Sequence, residues 1–197
     1  MYQIQWLDEN ATIDALDATP YDMLVVEPGH NFKTDVYDTN YLVSSLKQKP
    51  NGGERLLLAY IDIGQAEDYR TYWENTWVAP TETSIGSPNF LLTIDPDGWS
   101  GNYPVAYWDT RWLDIWLGDN GIIKTITEFG FDGVYLDLVE AYDNDKVRET
   151  ASAQGINTES EMMSFIEGIR NLGRSINPNF IVVPQNAPYL LDANPAF

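Results

Sequence analysis

The sequence predicts an α/β fold on a parallel sheet, of the (β/α)8 TIM-barrel type. Three observations carry that prediction. Short, nearly continuous hydrophobic runs alternate with helical patterns, no series of hairpins joins the runs, and polar residues gather just after several of them. Runs such as MLVV, LLLAYI and FIVV are typical of strands buried on both faces of a parallel sheet. Strand–helix–strand repetition implies parallel pairing through crossovers. A doubly wound sheet shares this pattern, but no GxGxxG or GxxxxGKS/T follows any run, so its nucleotide-binding versions lack support. Polar residues spread over several strand ends are how barrels build sites.

Taken in order, strands are expected at Tyr2–Leu7, Asp22–Glu27, Leu56–Ile63, Pro104–Trp108, Gly133–Leu138 and Phe180–Pro184. A helix over Tyr41–Lys47 meets a Pro-Asn-Gly-Gly stop, and one over Arg111–Phe129 ends at Gly130. A third, Glu159–Ile176, opens behind Asn157-Thr158 and closes at Asn177-Pro178. Residues 78–104 read as a long loop rich in Pro, Ser, Thr, Gly and Asn. The count is about six βα units, whereas a closed barrel has eight and typically about 250 residues. The expectation is one barrel domain over residues 1–197, incomplete at its C-terminus.

Composition narrows the function classes. Asp and Glu number 30 against 11 Lys and Arg, a net charge of −19. Little is available to neutralise phosphates, so neither a nucleic-acid partner nor an anionic membrane is expected. Such acidity suits a soluble protein in saline surroundings or an enzyme acting on a polycation. Cysteine is absent, which excludes disulfides, thiolate metal sites and cysteine nucleophiles. The one histidine, His30, follows Pro28-Gly29 and reads as a surface residue; no metal site is expected.

Three clusters carry candidate chemistry. After the third strand, Asp62, Glu67, Arg70, Tyr72 and Trp73 combine carboxylates, a guanidinium and aromatic rings, the groups that bind sugar hydroxyls or amines and stack on pyranose faces. After the fourth come Tyr107, Trp108 and Asp109, with Asp109 equally placed to cap a helix. After the fifth, Asp137 stands at the strand end with Glu140, Tyr142 and Asp143 beyond it. Hydrolysis of a glycosidic bond generally takes two carboxyl groups. Asp137 and Glu140 are therefore the catalytic candidates, and Asp62, Glu67, Arg70, Tyr107, Asp109 and Tyr142 the binding candidates. Gln185 and Asn186, after the last strand, add two amides able to bond a sugar or orient a carboxylate. Asp132, at the opposite end of its strand, reads as structural.

The blocks YIDIGQAEDYRTYW, YWDTRW, GFDGVYLDLVEAYD and VPQN together resemble the bacterial and archaeal branch of glycoside hydrolase family 114, the endo-α-1,4-polygalactosaminidases and related enzymes. The resemblance covers nearly the whole chain. It implies a (β/α)8 barrel, usually exported to the extracellular space, that cleaves internal α-1,4 linkages of galactosamine polymers without any cofactor. It places the strand-five aspartate on Asp137, the YIDIG aspartate on Asp62, the following acid and arginine on Glu67 and Arg70, the strand-four aspartate on Asp109 and the strand-six amide on Asn186. It also implies a second catalytic glutamate from a strand beyond the PQN block, where this sequence ends, leaving Glu140 as the nearby substitute.

The leading expectation is a hydrolase of an amino-sugar polysaccharide. The rival is a non-catalytic polysaccharide-binding protein, or an inactive fragment of such a hydrolase. A third reading, an α/β hydrolase or transferase unrelated to sugars, lacks a GxSxG elbow or a phosphate loop.

Overall fold

A computed structural model describes residues 3–4, 7, 10–28, 38–195 and 197. Five strands form one all-parallel sheet: β1 (Gln3–Ile4), β2 (Met23–Val26), β3 (Leu56–Asp62), β6 (Gly133–Asp137) and β7 (Ile181–Pro184), in that spatial order. Two further strands, β4 (Gln65–Glu67) and β5 (Asn102–Pro104), pair antiparallel with each other. Each sheet strand lies beside its predecessor and the order never reverses. That is barrel progression, since a doubly wound sheet reverses direction at a switch point. His30 and part of the first predicted strand lie outside the described residues.

The helices are α1 (Asn10–Asp17), α2 (Thr39–Leu46), α3 (Thr110–Leu117), α4 (Ile122–Glu128), α5 (Asp145–Gln154), α6 (Thr158–Ile176) and α7 (Leu190–Ala193). A 3₁₀ turn covers Val139–Asp143. The expected helix over 111–129 is two helices, because Gly118 and Gly121 flank a break between α3 and α4. The α5 helix escaped the sequence reading because only Val147 and Ala151 of its residues are buried, too few to mark an apolar stripe of helical period. Its termini are nonetheless well specified: the Asn144 side chain accepts from Lys146 N at 3.0 Å and Val147 N at 3.2 Å, and Gly155 closes it at φ +69°.

One strand expectation is corrected. Residues 105–108 do not enter the parallel sheet; β3 pairs directly with β6. Only Pro104 of the predicted run is in a strand, β5, and Val105 makes a lone bridge with Leu91. The apolar run is real, but Val105 and Tyr107 are buried by packing under the 78–104 loop and against α6, not by ladder pairing. A short apolar run does not distinguish these two forms of burial.

Strand periodicity sorts the side chains. Leu24, Val26, Leu57, Ala59, Ile61, Val134 and Leu136 face the helices and join Ile13, Leu42, Ile126 and Ile169 in the main core. The alternate residues Val25, Leu58 and Tyr60, with Met23, Tyr135, Ile181 and Val183, form a smaller cluster on the other face. Continuing that alternation to the strand ends puts Glu27, Asp62, Asp137 and Gln185 on this second face.

At the N-terminal ends of the strands, charges are fully engaged. Arg55 is buried and donates to the carbonyls of Tyr21 (3.0 Å), Leu46 (3.2 Å), Asp17 (3.3 Å), Leu16 (3.5 Å) and Thr19 (2.5 Å). Its guanidinium thus serves carbonyls at and just beyond the C-terminal ends of α1 and α2, where intrahelical donors run out and the negative end of the helix dipole lies, and ties in Tyr21 ahead of β2. Asp132 pairs with Lys47 and accepts Leu57 N at 2.8 Å, in keeping with the structural role expected for it.

Candidate active site

Asp62 and Asp137 are register partners at the ends of β3 and β6. Asp62 is buried, and one carboxylate oxygen accepts Gly64 N at 3.0 Å and Gln65 N at 2.9 Å. Burial, reinforced by Glu67 and Asp137, raises its pKa well above the usual carboxylate value and favours its protonated form. Asp137 is only partly buried. One of its oxygens accepts the Tyr60 hydroxyl and the other accepts Leu138 N at 2.9 Å. Burial and the Asp137 contact push the Tyr60 phenol far above its ordinary pKa, so it remains a donor.

The backbone beyond Asp137 turns abruptly. Leu138 is left-handed at φ +51°, a conformation uncommon for a residue with a large side chain. The turn brings the Leu138 carbonyl against Gly64, where a Cβ would stand 2.1 Å from that oxygen. Any other residue at 64 would force apart the segments that carry Asp62 and Asp137. Asn186, after β7, is likewise left-handed at φ +58°.

Arg70 links two glutamates. Its guanidinium donates to both Glu27 oxygens, at 3.0 and 3.1 Å, and to Glu67 at 2.6 and 3.3 Å. All three side chains are buried, and Tyr69 donates a further hydrogen bond to Glu67. Burial opposes the charge on Arg70, but Glu27 and Glu67 outweigh it and its pKa is raised. Glu27 is 2% exposed; burial lifts its pKa to about 7 against the opposing pull of Arg70, with Glu67 and Asp137 adding to the rise. One cation shared by two buried carboxylates thus favours retention of a proton near neutrality.

Glu140 sits in the turn beyond Asp137. Asn186 donates to its Oε1 at 3.3 Å; among the described residues no donor reaches its buried Oε2, nor Oε1 of Gln185. Burial raises the Glu140 pKa, with the charges of Asp137 and Asp97 contributing. Beside it a cavity of about 290 Å³ lies between this turn and the 95–104 segment, lined in part by Gln65, Asp95, Asp97, Glu140 and Asp143. A hollow of about 650 Å³ between residues 71–74 and the α3–α4 junction contains none of these groups. Among the described residues no group of three or more His, Asp or Glu is placed to hold a metal ion, and no helix is long and apolar enough to cross a membrane.

The family model for glycoside-hydrolase family GH114 matches residues 20–194. The chain belongs to that family. An uncharacterized protein of Deinococcus radiodurans is 36% identical over 179 residues, covering 91% of this chain and 50% of the relative. An uncharacterized protein of Methanocaldococcus jannaschii is 32% identical over 195 residues, covering 97% and 49%. The chain therefore spans about half the length of the curated relatives it matches. Among solved structures, Aspergillus fumigatus Ega3 in complex with galactosamine superimposes with a TM-score of 0.63 at 17% identity, covering 98% of this chain and 59% of Ega3. The glycoside hydrolase domain of PelA from Pseudomonas aeruginosa gives 0.57 at 13% identity, covering 98% and 63%. These likenesses, with the unreversed parallel order, establish the barrel-type α/β fold of this GH114 chain.

Among the GH114 chain's expected site residues, Asp62, Glu67, Arg70 and Asp137 interact within one cluster, and Glu140 joins Asn186 beside it. Gln185 follows on the same sheet face. Tyr142 is buried, and burial raises its pKa. Tyr107 is corrected: expected to line a cleft, it is wholly buried with its hydroxyl on the Thr158 carbonyl at 2.7 Å. Asp109 caps α3 through Arg111 N at 2.9 Å and pairs with the Arg111 side chain, whose hydrogen bonds lower its pKa. Glu27 and Tyr60 were missed. The available signal was position: Glu27 ends an apolar run, and Tyr60 has the parity of Asp62.

Proposed function

We propose that this GH114 chain is the catalytic part of a glycoside hydrolase that cleaves internal α-1,4 linkages in a galactosamine-containing polysaccharide, acting outside the cell. The observation that carries the reading is the convergence of Asp62 and Asp137, in register and on one sheet face, with Glu140 one turn beyond. Asp137 is the carboxylate that meets the substrate as nucleophile or base, oriented by Tyr60 and Leu138 N. Glu140, with its raised pKa, suits the proton donor. Asp62 and the Glu27–Arg70–Glu67 group shape the floor, and Gln185 and Asn186 offer amides to sugar hydroxyls. Support for the substrate comes from the net charge of −19, which favours a cationic amino-sugar polymer, and from the galactosamine bound to Ega3.

The test is incubation of the purified chain with α-1,4-galactosamine oligomers, with and without N-acetyl groups, followed by mass spectrometry. Shorter products are expected from the parent. Asp137→Asn should lower turnover by roughly 10²–10⁴-fold without moving the thermal midpoint by more than a few degrees. Intact oligomers that remain bound to the parent would replace hydrolysis by polysaccharide binding as the chain's role.

A further inference from the structure

Trp99 is 72% exposed, the most exposed large hydrophobic side chain among the described residues. A single exposed aromatic is ordinary; an exposed one on a backbone held this firmly is not. Asp95 Oδ1 accepts Asp97 N at 2.9 Å and Trp99 N at 3.0 Å, while Gln65 donates to Asp95 Oδ2 at 2.6 Å. Both Asp95 and Gln65 are buried. The other side of the turn is tied by Asp68 N to Gly101 O at 2.9 Å and by Tyr103 Oη to Asp68 at 3.1 Å. Gln65 and Asp68 belong to the segment that directly follows Asp62, so this turn is fixed to the catalytic end of β3.

Asp95, Pro96 and Asp97, the residues of this turn just before Trp99, form one wall of the cavity of about 290 Å³ whose opposite wall carries Glu140 and Asp143, so Trp99 stands two residues beyond the lining. That volume is near the lower limit of small-ligand clefts, roughly 300–1,000 Å³, and suits a single sugar unit. Asp97, exposed on its wall of the cavity, is close enough for its charge to act on Glu140.

We propose that Trp99 and this cavity form a sugar-binding subsite, with the indole stacking on a pyranose face and Asp97 receiving donors from that ring, a protonated amine above all. The inference rests on the polysaccharide reading and adds the place where one unit of the chain is gripped. Stacking on a side chain whose backbone is already fixed costs less ordering, since the turn does not have to be immobilised on binding.

The experiment uses the Asp137→Asn chain, so that binding is read without turnover. Indole N–H signals of the seven tryptophans are followed by ¹H–¹⁵N NMR while α-1,4-galactosamine oligomers or their N-acetylated forms are added; Trp99→Phe identifies the Trp99 signal. The Trp99 signal should shift with saturation. Trp99→Ala should weaken Kd about ten-fold, and Asp97→Asn should weaken the amine form more than the acetylated form. Oligomer binding that shifts other indoles and leaves Trp99 still, or an unchanged Kd in Trp99→Ala, would overturn the subsite and leave the hydrolase reading intact. Trp99-dependent binding without hydrolysis by the parent would sustain the subsite and end the hydrolase reading. No binding of either oligomer would overturn both.

Discussion

At the N-terminal ends of β3 and β6, Arg55 and Asp132 have every charge turned onto a specific partner: helix-end carbonyls for one, Lys47 and Leu57 N for the other. Around the C-terminal ends of β2, β3 and β6, five carboxyl groups gather, Glu27, Asp62, Glu67, Asp137 and Glu140, and the Arg70 guanidinium pairs with two of them, Glu27 and Glu67. The strands are the same and the chemistry of the two ends differs. The lower end satisfies groups that folding would otherwise bury unpaired. The upper end keeps carboxyl groups in excess, with raised pKa values at Glu27, Asp62 and Glu140, which a structure selected for stability alone would not retain.

Substitutions at the two ends should separate along that line. The largest stability effect is expected for Arg55→Met, which removes a donor from five backbone carbonyls, of which Leu16 O keeps Thr19 N and the Thr19 hydroxyl. A loss on the order of 4 kcal/mol or more should appear in the urea midpoint, with turnover per folded molecule preserved. Arg70→Met leaves two buried glutamates without their shared cation, Glu67 keeping the Tyr69 hydroxyl, and should cost roughly 3–5 kcal/mol. That loss should be smaller at pH 5 than at pH 8, because the stranded carboxyls can take up protons. An equal loss at both values would mean that Arg70 contributes packing alone.

Glu27 gives the next effect, and its sign follows from linkage. Its folded pKa, about 7, lies above the ordinary 4.5, so the native state binds the extra proton between those values. Its contribution to stability is therefore greatest below about pH 4.5 and falls as pH rises through about 7, by about 3 kcal/mol in all. In Glu27→Gln this part of the slope should vanish from denaturation midpoints measured between pH 5 and pH 8, while the contribution of Asp62, of the same sign, remains. The smallest effect belongs to Asp109→Ala, which removes the α3 cap and should cost about 1 kcal/mol. A rise in KM alongside it would return Asp109 to the binding surface suggested by its strand-end position.

Alternation and punctuation were legible beforehand. Residues 23–26, 56–62, 133–137 and 181–184 are strands close to where their apolar runs place them, since a buried parallel strand needs such a run. The strand-end position of Asp62 and Asp137 followed from the same reading. Residues 105–108 failed because their apolar pattern satisfies a core as well as a sheet. Tyr107 failed with them, its hydroxyl taken by a carbonyl fifty-one residues away.

By itself, then, the sequence determined the parallel α/β class, the placement of its principal strands and the identity of the polar residues at their ends, because burial and turn chemistry are encoded within a few residues. Tertiary structure decided which carboxyl groups share a cation, which phenol reaches Asp137, and that Gly64 lies against the Leu138 carbonyl. Those outcomes depend on register between strands up to seventy-seven residues apart. Electrostatic energy varies with distance and burial, and neither can be read from spacing along the chain.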